Sequence, residues 1–387
     1  MEIATLVVVV LVIATALIFD FTNGFHDTAN AMATSIATGA LKPKTAVIAA
    51  GTLNLIGAFL STEVANTISG GLINEQQVTI GPEFIFAGLV GAIIWNLITW
   101  LVGLPSSSSH ALFGGLVGAV IVGAGVEGVN FAAVLTKILI PALVSVLVAA
   151  LASLTACKLI YLITKGMDEK RVESGFRHGQ TVTACLVALS HGTNDAQKTM
   201  GIITLTLIAV GAQPSGSDPQ FWVVAICGIA IALGTYMGGW RVIRTLGKGL
   251  TEISTPQGFA AEASSATTIL VSSHLGFALS TTQVCSGSII GSGLGKGTPV
   301  NWAVAGRMVI AWLVTFPAAL LVGAAACAIA KLGMAGTIAV AIIAIIIALV
   351  IVRLSHRNPV NSMNVNESSD VKINATPNDN MAAAQAA

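Results

Sequence analysis

Charge is what this 387-residue sequence has least of: Asp, Glu, Lys and Arg together make up 9% of it, against 55% hydrophobic residues. A soluble domain carries about 25% charged residues. A chain this poor in charge cannot cover a water-facing surface, so its solvent is mostly lipid. The few charges nearly cancel, to a net of +1, and nothing offers nucleic acid a basic face. Grouped cysteines are lacking too. Cys157, Cys185, Cys227, Cys285 and Cys327 each stand alone in an apolar segment, with no CxxC and no Cys/His spacing. They read as small buried side chains, not as metal ligands or a disulfide framework. The amino terminus lacks a basic n-region and a polar, small-residue cleavage zone. Only Glu2 precedes the apolar run, which therefore reads as a permanent first helix and not as a cleaved leader.

What the chain has is long apolar runs. A transmembrane helix takes about 20 mainly apolar residues, and segments 3–19, 84–104 and 308–330 contain no Lys, Arg, Asp or Glu. Apolar spans fall near 3–22, 29–41, 44–62, 83–103, 107–124, 131–163, 181–190, 199–213, 220–240, 264–279, 281–295, 301–330 and 335–353. They predict an all-α polytopic membrane protein with ten to twelve crossings. Several spans are too short to cross alone and flank polar motifs, which predicts broken or re-entrant helices there. Forty glycines let lipid-embedded helices approach closely. Residues from Ser355 onward are rich in Asn, Ser, Asp and Ala without an apolar period, and read as a disordered tail. Basic residues gather at Lys42 and Lys44, from Lys158 to Arg177 and from Arg241 to Lys248, whereas the 61–83 loop carries Glu63, Glu75 and Glu83 with no base. Basic loops favour the cytoplasm, so the N-terminus is expected outside.

The chain also repeats itself. Segment 23–30 (NGFHDTAN) resembles 191–198 (HGTNDAQK), pairing Asp27 with Asp195 at an offset of 168. Segment 67–72 resembles 245–250 at an offset of 178, and Ser107-Ser108-Ser109-His110 resembles Ser280-Thr281-Thr282-Gln283 at an offset of 173. Three matches in one order at a nearly constant offset point to a duplicated half. The expected organisation is a first transmembrane repeat over 1–163, a cytoplasmic basic connecting loop over 164–180, a second repeat over 181–353 and the polar tail over 354–387. If the first half starts outside and the second at the basic loop, the repeats are inverted, an architecture that places a transport site at their interface near mid-membrane.

An ionisable side chain at membrane depth is expensive and is by default a functional candidate. His26 and Asp27 lie between apolar segments, and Asp195 with His191 and Lys198 holds the equivalent place in the second half. Interfacial loops would accommodate the same residues, but the Asp element occurs in both halves. Asn23, Asn30 and Asn194 flank them and would shape a site. Ser107, Ser108 and Ser109, with Ser280, Thr281 and Thr282, supply N-caps, and a helix N-terminus presents free N–H groups and a positive dipole end. Two such ends facing each other would hold a tetrahedral oxyanion with neutral donors. Plain capping of two helices is the simpler alternative. An anion moving inward against a negative interior needs a coupled cation. Asp27 and Asp195 are its natural carriers, and His26, with an ordinary pKa near neutrality, favours protons over sodium. Asn54, Asn66 and Asn96 are expected to make helix–helix hydrogen bonds.

These segments, 23–31, 104–110, 190–198 and 279–283, together resemble the inorganic phosphate transporter (PiT) family, most closely its bacterial low-affinity permeases. The resemblance implies inverted repeats, a homodimer in the cell (cytoplasmic) membrane, inward phosphate symport and no enzymatic activity. It places the family's signature Asp residues at Asp27 and Asp195 and its phosphate-binding turns at Ser107 to Ser109 and Ser280 to Thr282. Sodium-coupled members tend to have Asn where this chain has His26, and such permeases are associated with carrying phosphate as a neutral divalent-metal complex. The second turn of the family usually ends in His, where this chain has Gln283, so a role for that position would fall to His110 alone. The partners implied are phosphate, a coupling cation (H⁺, or Na⁺ as the alternative) and lipid, with no cofactor. Sulfate, also tetrahedral, is the rival cargo. An intramembrane Ser/His hydrolase built on His110 is the rival class, weakened because the Ser/Thr turn recurs without His and no nucleophile elbow is present.

Overall fold

The computed structural model describes residues 3–71 and 81–366. Glu75 and residues 367–387 of the polar tail lie outside them. Among the described residues the chain forms thirteen helices. The first six are α1 (Ile3–Ala37), α2 (Pro43–Gly57), α3 (Glu63–Gly71), α4 (Pro82–Leu101), α5 (Ser108–Ala124) and α6 (Phe131–Ile163). The next six are α7 (Glu169–Ala209), α8 (Phe221–Met237), α9 (Trp240–Gly249), α10 (Thr255–His274), α11 (Thr281–Lys296) and α12 (Trp302–Ala330), and α13 (Met334–Ser355) follows without a counterpart. Long, short, very short, 20 residues, short, long: the same succession occurs twice.

The two halves run in opposite senses. On α1 and its counterpart α7, Asn23 hydrogen-bonds to Asp195 at one level, while Thr38 donates to Gln180 at another. Residue numbers rise along one helix as they fall along the other, so the helices are antiparallel. The halves also exchange their last long helices: α6 packs against α10 and α11, and α12 against α4 and α5. Small residues permit this. A Cβ on Gly118 of α5 would lie 2.0 Å from the Leu320 carbonyl oxygen of α12, and one on Gly291 of α11 would lie 2.1 Å from that of Ala150 in α6. Only a missing side chain allows backbones that close.

Length and apolarity single out α1, α4, α6, α12 and α13 as candidate membrane spans, with α8 and α9 a sixth if that pair, bent by 61°, counts as one. The ten to twelve crossings expected exceed this number because the other helices are short (α2, α5, α11) or polar (α7, α10). Leu147 of α6, Leu313 of α12 and Leu349 of α13 are each more than 60% exposed, as side chains facing lipid are.

The polar motifs differ from expectation in one respect. Segments 23–30 and 190–198 lie inside α1 (35 residues) and α7 (41 residues), which do not break there. Their side chains find partners on other helices, so the backbone has no need to open. The breaks come instead at the Ser/Thr turns, where Gly103 and Gly276 take φ of +66° and +71° and end α4 and α10. The basic segment 164–180 is helical from Glu169 on, with Asp168 capping α7 by accepting from Arg171 N–H. At the other end, residues after Ser355 turn back: Arg241 donates to the Ser355 and Asn358 carbonyls, Arg244 to Asn364, and the Asn366 amide to Ile36. The five cysteines are free, four of them buried and Cys185 partly so.

Candidate functional site

The site lies where the middles of α1 and α7 meet the N-termini of α5 and α11. On α1 the inward residues are Asn23, His26, Asp27 and Asn30, and on α7 they are His191, Asn194, Asp195 and Lys198. Both sets follow the i, i+3, i+4, i+7 spacing of one helix face, and all eight are buried. Their polar face is tolerated inside the protein because the opposite half supplies matching groups.

The Ser/Thr turns supply most of those. Ser107 and Ser280 are the N-caps of α5 and α11, accepting from the backbone N–H of His110 and Gln283. The residues that follow aim their hydroxyls inward. Ser108 donates to Asp27 Oδ2 at 2.9 Å, and Thr281 and Thr282 lie 3.4 Å from Asp27 Oδ2 and Oδ1. Thr281 is equally 3.4 Å from Asp195 Oδ2, so one hydroxyl stands between the two carboxylates. Asn30 donates to Thr281 and Thr282 at 3.3 and 3.0 Å. The Asp27 carboxylate therefore occupies, in this conformation, donors that an oxyanion would use.

Asp195 is the more strongly charge-paired of the two. Lys198 Nζ reaches its Oδ1 at 2.5 Å, His191 Nε2 its Oδ2 at 3.2 Å, and Asn23 donates to Oδ2 at 3.2 Å. Lys198 also donates to Ser109 Oγ at 2.6 Å and to the Leu279 carbonyl at 3.0 Å, which uses all three ammonium protons. This one lysine ties α7 to both turns. On the far side of His191, Nδ1 meets Asn54 Oδ1 at 3.2 Å, and Asn54 donates to Thr235.

His26 links Asp27 to a run of hydroxyls. Its Nδ1 is 2.6 Å from Asp27 Oδ1, and its Nε2 faces Thr99 at 3.3 Å and Ser106 at 3.5 Å. Ser106 donates to Thr99 at 2.8 Å. With the imidazole tautomer that gives Nδ1–H to Asp27, Nε2 is an acceptor at the end of this line. The order Ser106, Thr99, His26, Asp27 is a path along which a proton can be passed.

One atom each from Asp27, His191 and Asp195 lies within 4.8 Å of the others, so these three could share a cation. The carbonyl oxygens Asn23 Oδ1, Asn30 Oδ1 and Asn194 Oδ1 are buried and have no hydrogen-bond partner among the described residues, and cations and protonated anions both seek such acceptors. Asn194 itself is anchored to Ser273 and the Phe277 carbonyl through its amide nitrogen.

Of the residues singled out in the sequence, two point elsewhere. The side chains of His110 and Gln283 line a separate, mostly apolar cavity of about 710 Å³ between α6 and α12, and only their backbones serve the turns. The isolated asparagines divide: Asn54 bridges helices as expected, Asn66 bonds instead to Asp218 in the loop after α7, and Asn96 is buried with neither amide atom partnered. Two buried carboxyls were not anticipated. Glu262 of α10 accepts from Thr34, Thr183 and Gln180 at 2.5, 2.7 and 3.1 Å. Asp20 of α1 is fully buried, and among the described residues neither oxygen has a hydrogen-bond partner of ordinary length. The signal for both was present, an acid within an apolar or small-residue run, but neither has a counterpart in the other half.

The profile of the phosphate transporter family matches residues 23–323. A protein of Mycobacterium tuberculosis (strain ATCC 25618 / H37Rv), described as a probable low-affinity inorganic phosphate transporter, is 60% identical over 321 residues, which cover 82% of this chain and 76% of the relative. A Bacillus subtilis (strain 168) protein of the same description is 42% identical over 324 residues, covering 83% and 96%. The solved structure titled "The sodium-dependent phosphate transporter" superposes with a TM-score of 0.76 at 26% identity, covering 84% of this chain and 99% of that one.

Proposed function

Because this chain belongs to the phosphate transporter family, we propose that it is a secondary active importer that moves inorganic phosphate across the cytoplasmic membrane by proton symport. The observation that carries the reading is the convergence of two hydroxyl-bearing helix N-termini on Asp27 from opposite halves of the chain. Asp27 and a phosphate oxyanion want the same donors. Neutralising Asp27 releases Ser108, Thr281 and Thr282 to the anion, so the coupling ion and the phosphate bind together and leave together. The His26 line of hydroxyls is a route by which a proton reaches Asp27. Lys198, held by Asp195, adds one positive charge without facing the anion alone, which keeps release fast. The protein works as a homodimer in this reading, and phosphate enters free or as a neutral divalent-metal complex.

Two observations favour sodium as the second reading: the Asp27, His191 and Asp195 cluster can share a cation, and the structural neighbour is titled sodium-dependent. A hydrolase is not supported. Among the described residues both His110 ring nitrogens lack a hydrogen-bond partner, and Ser106 spends its proton on Thr99. The test is labelled phosphate uptake into proteoliposomes under an imposed pH gradient without sodium, with sulfate as competitor. Gradient-dependent uptake that ignores sulfate is expected. Uptake that requires sodium overturns proton coupling, and inhibition by sulfate without net phosphate transport overturns the cargo.

A further inference from the structure

Asp20 lies seven residues before Asp27 on α1. Seven residues are two helical turns less about 20°, a rise of about 10 Å, so Asp20 and Asp27 share one face of the helix at different depths. Seven residues beyond Asp27 on the same face is Thr34, which holds Glu262. Three carboxyl groups thus mark α1 at two-turn intervals, with the phosphate site in the middle.

The three are provided for very differently. Asp27 and Glu262 each have at least three side chains bonded to them. Asp20 is 0% exposed, neither oxygen has a hydrogen-bond partner, and no cation lies within salt-bridge distance among the described residues. Thr199 of α7 is the side chain that interacts with it directly, Asp195 and Lys198 of α7 act on it through their charge, and its own charge is felt by the Cys227 thiol on α8. The Thr199 hydroxyl, which has no other partner among the described residues, is the one side chain placed to donate to it and does so at best weakly, and the Lys198 ammonium is used by Asp195, Ser109 and Leu279. Burial outweighs what Thr199 and the distant Lys198 charge give back, so a carboxylate here is costly, and a bound proton removes that charge. One carboxyl beside one hydroxyl and one thiol supplies too few oxygens to hold a metal cation. A carboxyl that served only packing would gain nothing over leucine or asparagine here, so its presence calls for a use.

We propose that Asp20 is a proton-binding group of the transport cycle, placed before the phosphate site along α1 and required for a pH gradient to drive uptake but not for phosphate to bind. The proposal rests on the proton-coupled reading. In it, Asp20 takes a proton when the space beside it opens and gives it up toward the Asp195 and Lys198 end of the site as that space closes. No bond other than that to the proton is made or broken.

The full-length protein is reconstituted as wild type, Asp20→Asn and Asp20→Glu. Phosphate–phosphate exchange at equal pH on both sides reports binding and folding. Phosphate accumulation under an imposed pH gradient, with a pH-sensitive dye following protons, reports coupling. Asp20→Asn should exchange phosphate at the wild-type rate and lose gradient-driven accumulation by about a hundredfold, the scale of a removed proton-transfer group. Asp20→Glu should restore it. Asp20→Asn that accumulates phosphate like wild type overturns the proposal. So does loss of exchange in both variants, which marks a structural residue. If the wild type itself ignores the pH gradient and needs sodium, the proton-coupled reading fails and the proposal with it, and the wild-type arm alone identifies that outcome.

Discussion

At the scale of single residues, the site is a set of buried charges made tolerable by one another. Lys198 and Asp195 show this most clearly, since both are fully buried and 2.5 Å apart. Such a pair contributes little net stability, but removing one member strands the other at a cost of about 3–5 kcal/mol. Lys198→Met should therefore lower the melting temperature in detergent sharply, and adding Asp195→Asn should recover much of the loss. A double variant as unstable as the single one would mean that Lys198 acts through Ser109 and Leu279 alone. Asp27 carries a different expectation. Asp27→Asn removes the charge but keeps the shape, so it should abolish phosphate accumulation in proteoliposomes while the protein stays folded; proton-driven uptake retained in that variant would refute a coupling role. Most of these residues were legible in the sequence, because the two halves repeat the same element. Asp20 and Glu262 were not, because the positions that answer to them at the repeat offsets are Ala188 and Leu89.

At the scale of elements, composition and period dictated helices nearly everywhere, and the structure has them. The places where they stop follow another rule. Polar residues at 23–30 and 191–198 suggested interruptions, yet α1 and α7 run through them, since tertiary partners outweigh the weak helix propensity of Asn, Asp, His and Thr. The true breaks are Gly103 to Ser107 and Gly276 to Ser280, where in each case a left-handed glycine is followed four residues later by the N-cap serine. The close approach of α5 to α12, and of α11 to α6, is equally an element property. Gly118→Ala and Gly291→Ala should each destabilise the fold by about 1–3 kcal/mol through overpacking, measured by thermal unfolding in detergent. An unchanged melting temperature for either would show that the two helices can separate freely.

At the scale of the whole molecule, the surface and the centre have exchanged the roles they have in a soluble protein. Leu147 and Leu313 are 66% and 67% exposed, whereas the acids and bases of the site are inside. Leu147→Arg or Leu313→Arg should reduce the membrane-inserted yield, given a cost of about 2.5–3.5 kcal/mol for a central arginine. Comparison of membrane-fraction yields with a loop substitution such as Lys165→Arg tests it, and equal yields would place those leucines away from lipid. The membrane solvent, the duplication and the chemistry of the two turns were determined by the sequence alone, because hydropathy and internal repetition are local or self-referential properties. Which side chains meet was decided only by the tertiary structure. Thr281 stands between Asp27 and Asp195, Lys198 reaches both turns, and Gln283 and His110 turn away, because α1 and α7 cross antiparallel and bring together groups from 81 to 254 positions apart. No period within one helix carries that information, since the partner that satisfies a buried polar group in lipid lies on another helix.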